Sequence, residues 1–181
     1  MFIETETTPN PATLKFLPGR TVMAQGTANF TDSDSAGRSA LAQRLFALPD
    51  VTGVFLGADF VTVTKSASAD WYQLKTEILG LLVQFFTSGL PVIEETAVTT
   101  EAGAEEDEIV GRIRELLETR VRPAVAQDGG DIVFHEFSGG VVYLHMQGAC
   151  SGCPSSTATL KAGIENLLRH YIPEVQEVRA V

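Results

Sequence analysis

The sequence predicts an α+β protein: two small α+β domains joined by an acidic linker. Three observations lead there. Stretches of strand-like alternation and of helical apolar periodicity are interspersed along both halves of the chain. The length of 181 residues, 44% of them hydrophobic, suits two modest cores. Charge is concentrated at one place: residues 94–108 (EETAVTTEAGAEEDE) hold seven acids and no base, whereas 1–93 hold eight acids and six bases and 109–181 hold eight and seven. Rich in Glu, Ala and Thr and without an aromatic residue, that stretch is extended by self-repulsion rather than packed. The expected organisation is therefore a domain at 1–93, a flexible linker at 94–108 and a second domain at 109–181. A flexible chain of 15 residues spans about 20 Å and lets the domains move separately.

In the first domain, short strands are expected at about 2–7 and 13–17, punctuated by Pro9, Pro11 and the turn Pro18-Gly19, with a third ending at Phe30. Residues 37–48 read as a helix. Val51–Leu56 and Phe60–Lys65 form a hairpin around Gly57-Ala58-Asp59. Asp70 and Gln73 have capping-box spacing, and Trp71, Leu74, Ile78, Leu81, Leu82 and Phe85 then recur at helical intervals as far as Gly89-Leu90-Pro91. Leu79, Val83 and Phe86 make a second stripe on this helix, which reads as a wide core face beneath a sheet rather than a docking face. The domain has no His and no Cys, so soft-ligand metal chemistry does not reside there.

The second domain opens with Ile109, Ile113, Leu116, Leu117, Val121 and Val125, a helical stripe interrupted late by Pro123 and closed by the turn Asp128-Gly129-Gly130-Asp131. Those acids read as turn formers, not as a carboxylate metal site. Ile132–Phe137 and Val141–Gln147 form two strands around Ser138-Gly139-Gly140. A three-residue loop there places Ile132, Phe134, Val142, Leu144 and Met146 on one face and His135, Tyr143 and His145 on the other, a better sorting than a two-residue loop provides. His135 and His145 are thus read as solvated strand residues rather than metal ligands. His170 falls near the end of a last helix carrying Leu160, Ile164, Leu167, Leu168 and Tyr171, where a cation suits the dipole.

Composition narrows the function classes. With 23 acids against 13 bases and no basic cluster, nucleic acid is not an expected partner. No apolar run approaches a membrane span, and MFIETETTPN resembles neither a signal nor a transit peptide. The only cysteines, Cys150 and Cys153, are too close and too few for a secreted disulfide framework, which points to a reducing compartment. The expected localisation is cytoplasmic in a bacterium, or the mitochondrial matrix for a processed eukaryotic chain.

The chemistry concentrates at Gly148-Ala149-Cys150-Ser151-Gly152-Cys153-Pro154-Ser155-Ser156, between a strand and a helix that Pro154 suits as first turn. Thiols near a helix N-terminus favour the thiolate, the form that nucleophiles and metal ligands need. The surrounding small residues suggest an open site. Incidental thiols are usually fenced by apolar residues, unlike these. A structural zinc site needs four ligands, and one chain lacks a second suitable pair, which leaves only a zinc-bridged dimer. A thiol-disulfide oxidoreductase also begins a helix with CxxC, but in a βαβ context rather than after an antiparallel hairpin. An iron-sulfur cluster takes four thiolates; two chains about a two-fold axis supply them, and so exposed a cluster suits delivery more than electron transfer.

At these residues the sequence resembles the NifU-like (Nfu) iron-sulfur carrier family. DGGDIVFHEFSGGVVYLHMQGACSGCPSSTATLKAGIENLLRHYIP (128–173) follows the pattern of its cluster-binding domain. TPNPATLKFLPG (8–19), LAQRLFALPDVTGVFLGADFVTVTK (41–65) and the Trp71 helix resemble the family's N-terminal domain, in the two-domain form of mitochondrial and related bacterial members. The resemblance implies a non-enzymatic carrier in which Cys150 and Cys153 bind a cluster, usually 4Fe-4S although four thiolates also fit 2Fe-2S. That cluster bridges a homodimer and is delivered to apo iron-sulfur client proteins downstream of other cluster-assembly proteins. It also implies an αββαβ C-terminal domain, with Val175–Val181 as the last strand, and an N-terminal domain for partner interaction. One departure is Ala40, where many relatives have proline at the start of the first helix.

Overall fold

The computed structural model describes residues 1–94, 108–151 and 154–181, and the chain divides into two compact units between residues 94 and 108. Most of the expected linker, 95–107, lies outside the described residues. Of its ends, Glu94 donates its N–H to the Arg38 carbonyl at 2.9 Å, and Glu108 opens a helix. Among the described residues no helix is long and apolar enough to cross a membrane.

The N-terminal unit runs β1 (Glu4–Thr7), β2 (Thr13–Leu17), β3 (Ala28–Phe30), α1 (Ala40–Phe46), β4 (Val51–Leu56), β5 (Val61–Lys65) and α2 (Trp71–Ser88). Its strands form one antiparallel sheet in the order β1-β2-β5-β4-β3. Alternation decides the faces: Leu14, Phe16, Val54, Leu56, Val61 and Val63 join Leu41 and Leu45 of α1 and Leu74, Ile78, Leu82, Phe85 and Phe86 of α2 in one core. Leu79 and Val83 pack against that core, as the wide-face reading of the second stripe requires. The first helix begins later than residue 37. Ser35–Arg38 form a separate 3-10 turn, and Ser39, extended at φ −128° and ψ 111°, caps α1 by accepting from the Ala42 N–H at 3.1 Å. Asp70 caps α2 from the Tyr72 N–H at 2.8 Å, and Gly89, at φ 70°, ends it.

The C-terminal unit runs α3 (Glu108–Leu116), a π-helical turn (Leu117–Val121), α4 (Arg122–Gln127), β6 (Gly130–Ser138), β7 (Val141–Gly148), α5 (Pro154–Tyr171) and β8 (Glu177–Ala180). With the first helical run counted as one element this is the αββαβ order. Pro123 does not end that run. Proline lacks the N–H that would bond to the Thr119 carbonyl and its ring crowds that oxygen; the wider π turn just before it accommodates the ring, and helix resumes. β6 pairs antiparallel with β7, and β8 returns beside β7 in parallel after the α5 crossover. Ile113, Leu117, Val121 and Val125 meet Ile132, Val142, Leu144, Ile164, Leu168 and Val178 in the core.

The face sorting expected for β6 and β7 is present, but the three-residue loop is not. Ser138 pairs with Val141, so the connection is the two residues Gly139 and Gly140, at φ 57° and 82°, the left-handed pair that matches strand twist. The extra residue that rescues the sorting lies inside the strand: a bulge between Phe134 and Glu136 leaves His135 without an opposite partner. Phe137 thereby joins Phe134 and Met146 against the core.

Candidate functional site

β7 ends at Gly148, whose φ of 62° turns the chain out of the ladder into Ala149-Cys150-Ser151. Two hydrogen bonds hold this turn. Ser151 donates its N–H to the Gly148 carbonyl at 3.1 Å, and Ala149 donates to the Gly129 carbonyl at 3.2 Å, joining it to the turn that precedes β6. Cys150 is buried, 6% exposed, and belongs to the core of the C-terminal unit. This corrects the expectation of an open site as far as Cys150 is concerned. Small neighbours in sequence do not make a thiol accessible when the turn folds it back against the sheet. Cys153 lies outside the described residues; in sequence it directly precedes Pro154, the first residue of α5.

Gly130 forms one wall around the Cys150 sulfur. A β-carbon built there would stand 2.5 Å from Cys150 Sγ, 2.9 Å from the Gln147 carbonyl oxygen and 3.0 Å from Cys150 N. Two of these three neighbours are backbone atoms, so the approach is open only to glycine. The same turn is tied to the preceding helix by charge. Arg122 grips the buried Asp131 bidentately, Nε to Oδ1 and Nη2 to Oδ2, each at 2.8 Å. Asp131 Oδ1 also accepts from the Ile132 N–H, and Arg122 Nη1 donates to Glu118. These carboxylate partners raise the Arg122 pKa above its ordinary value against the opposing effect of burial, so the guanidinium stays charged. Asp131 is thus a structural clamp; it stands in β6, paired with Gln147, and not in the turn expected for it, which Asp128 and Gly129 form.

The histidines divide. His170 stands near the C-terminus of α5 with its ring centroid 4.9 Å from that of Tyr171. His135 is exposed and His145 half-buried, as solvated strand residues should be, yet their ring centroids stand 4.6 Å apart. Among the described residues no three His, Cys, Asp or Glu side chains converge to hold a metal ion. Three features escaped sequence reasoning. The Gly130 wall joins the start of β6 to the turn after β7 through strand pairing, and the Arg122–Asp131 clamp joins residues across a helix-to-strand turn; no local periodicity encodes either. The His135–His145 contact is made diagonally across the strand pair, beside a bulge with no local signature.

Residues 3–89 match the family described as "Scaffold protein Nfu/NifU N terminal", and residues 113–179 match the "NifU-like domain". The human protein named "NFU1 iron-sulfur cluster scaffold homolog, mitochondrial" is 50% identical over 183 residues, an alignment covering 100% of this chain and 72% of that protein. The Drosophila erecta protein of the same name is 50% identical over 184 residues, covering 100% of this chain but 65% of its own length. This chain therefore spans about two thirds of such relatives. A solution NMR structure of a NifU-like protein from Saccharomyces cerevisiae aligns at 31% identity and a TM-score of 0.48, covering 52% of this chain and 86% of that one.

Proposed function

The chain belongs to the Nfu/NifU scaffold family, and from that premise we propose that it is an iron-sulfur cluster scaffold whose cargo is a labile 4Fe-4S cluster held by Cys150 and Cys153 of two chains. The observation that carries this reading is the placement of the only two cysteines within the NifU-like match, at the join of β7 and α5. A cluster normally takes four thiolates and each chain has two, so a two-fold pair completes the set.

In this proposal the chain's residues do three things. Gly130 and the Arg122–Asp131 clamp give the Cys150 turn a rigid back wall, so that ligation is a local rearrangement of Gly148–Ser151 that turns the sulfur out of the core. The two thiolates hold the cargo. Release is ligand exchange, in which thiolates of an apo iron-sulfur client replace those of the two chains with no net change of oxidation. This is a carrier function without catalytic turnover, with upstream assembly proteins as donors and the N-terminal unit engaging partners. The relatives are named as mitochondrial proteins. The proposed setting here is a reducing one, the bacterial cytoplasm or the mitochondrial matrix.

The test is anaerobic reconstitution with iron and sulfide. About two irons and two sulfides per chain in a dimer, with 4Fe-4S Mössbauer parameters, is the expected result. Cys150→Ser and Cys153→Ser are each expected to lose stable cluster binding while the apo-protein stays folded. A full cluster retained by either variant overturns the ligand assignment. A monomer that takes up neither ion but cycles its dithiol replaces the scaffold reading with the oxidoreductase one.

A further inference from the structure

We propose that His135 and His145 form an auxiliary binding site for a divalent first-row transition-metal ion, on the face of the β6–β7 hairpin turned away from the core. The argument is independent of the cluster and begins with hydrogen-bond direction. His145 Nδ1 lies 3.0 Å from the Val181 main-chain oxygen, which only accepts, so Nδ1 carries the proton. In the neutral ring the Nε2 lone pair is then available, and it faces His135 Nδ1 at 3.2 Å. A main-chain oxygen or carboxylate on the far nitrogen is the arrangement that fixes the tautomer and orientation of metal-ligating histidines.

The spacing fits as well. Two nitrogens bound tetrahedrally to zinc at about 2.0–2.1 Å stand about 3.3 Å apart, close to the separation already present. In the metal-free pair His135 Nδ1–H donates to His145 Nε2. The metal ion takes the place of that shared proton: the proton leaves His135 Nδ1, its Nε2 gains one from solvent, and both lone pairs then serve the ion. Rotation about χ2, a broad torsion for histidine, turns the two lone pairs from each other toward a common point. Imidazole nitrogen suits zinc, copper or nickel more than calcium or magnesium. With no third His, Cys, Asp or Glu converging among the described residues, water fills the remaining positions and the ion exchanges readily. The neighbouring cation on β8, Arg179, is held by Glu177 at 3.0 Å, which offsets its repulsion. The two rings meet diagonally across the strand pair, beside the bulge at His135.

The test is long-range 1H–15N correlation of the imidazole rings in the full chain, titrated with zinc chloride, with the cysteine Cβ resonances reporting uptake by the thiols separately. His135 Nδ1 and His145 Nε2 are expected to shift together, and His170 to stay fixed. His135→Asn, at an exposed position, should leave the backbone spectrum intact and weaken the zinc response of His145 at least tenfold. His135→Gln should do the same. Zinc taken up only by the thiols, with both rings unmoved, overturns the site, as does an undiminished His145 response in both variants.

Discussion

Replacing Gly130 by alanine places a carbon 2.5 Å from Cys150 Sγ, and against the Gln147 carbonyl and the Cys150 amide, which cannot swing away. The expected cost is about 1–3 kcal/mol, the range for forcing an extra carbon into a packed region. Trp71, the single tryptophan, lies in α2 of the other unit and reports on that unit alone. In urea, Gly130→Ala should therefore lower the midpoint of the C-terminal unit, followed by NMR of its amides, and leave the Trp71 fluorescence transition in place. An unchanged C-terminal midpoint would mean that the wall is looser than its distances imply. At this scale the sequence was informative about chemistry and uninformative about access. Two thiols in a CxxC at a strand-to-helix join are legible without coordinates. That Cys150 is 6% exposed is not, because burial depends on Gly130, distant in sequence and brought opposite Gly148 by strand pairing.

Helix α1 shows how an element's boundary follows from its cap. Ser39 is already extended, the conformation favoured before proline, and Ala40 occupies the first helical position, where a missing N–H costs nothing. Ala40→Pro is therefore expected to stabilise the N-terminal unit by about 0.4–1 kcal/mol, through loss of freedom in the unfolded chain. The Trp71 urea transition should move to higher denaturant; a move to lower denaturant would show that the Ala40 amide has a partner or an unsuitable φ. The strand pair β6–β7 carries the opposite lesson. Hydrophobic sorting named the right faces from the sequence, because burial of Ile132, Phe134, Val142, Leu144 and Met146 outweighs any turn preference. It misplaced the extra residue, since a three-residue loop and a two-residue loop with a bulge sort these residues alike, and only main-chain pairing separates them. Pro123 is similar: the sequence signals a break in the helix, and the π turn converts it into a local widening.

On the scale of the whole molecule, the cysteines and histidines are segregated in the C-terminal part of the chain. Residues 1–94 contain no Cys and no His, and the two units have separate cores. If Cys150 and Cys153 hold the cargo, loading should stabilise one unit alone, since a ligand raises the stability only of the folded state that binds it. Anaerobic loading of the full chain is expected to raise the C-terminal unfolding midpoint and leave the Trp71 transition unmoved. A common shift of both would show that the units unfold as one or that the cluster contacts the N-terminal unit.

The sequence by itself determined the α+β class, the division into two units around an acidic stretch, most element positions and the pair of thiols, because periodicity, charge density and residue count are local properties of the chain. Tertiary structure alone decided that Cys150 is buried behind Gly130, that Asp131 is clamped by Arg122, and that His135 meets His145 across the strand pair. Each of these joins residues 9 to 20 positions apart through strand pairing or a helix-to-strand turn, and the energy of such contacts depends on distances that no local pattern encodes.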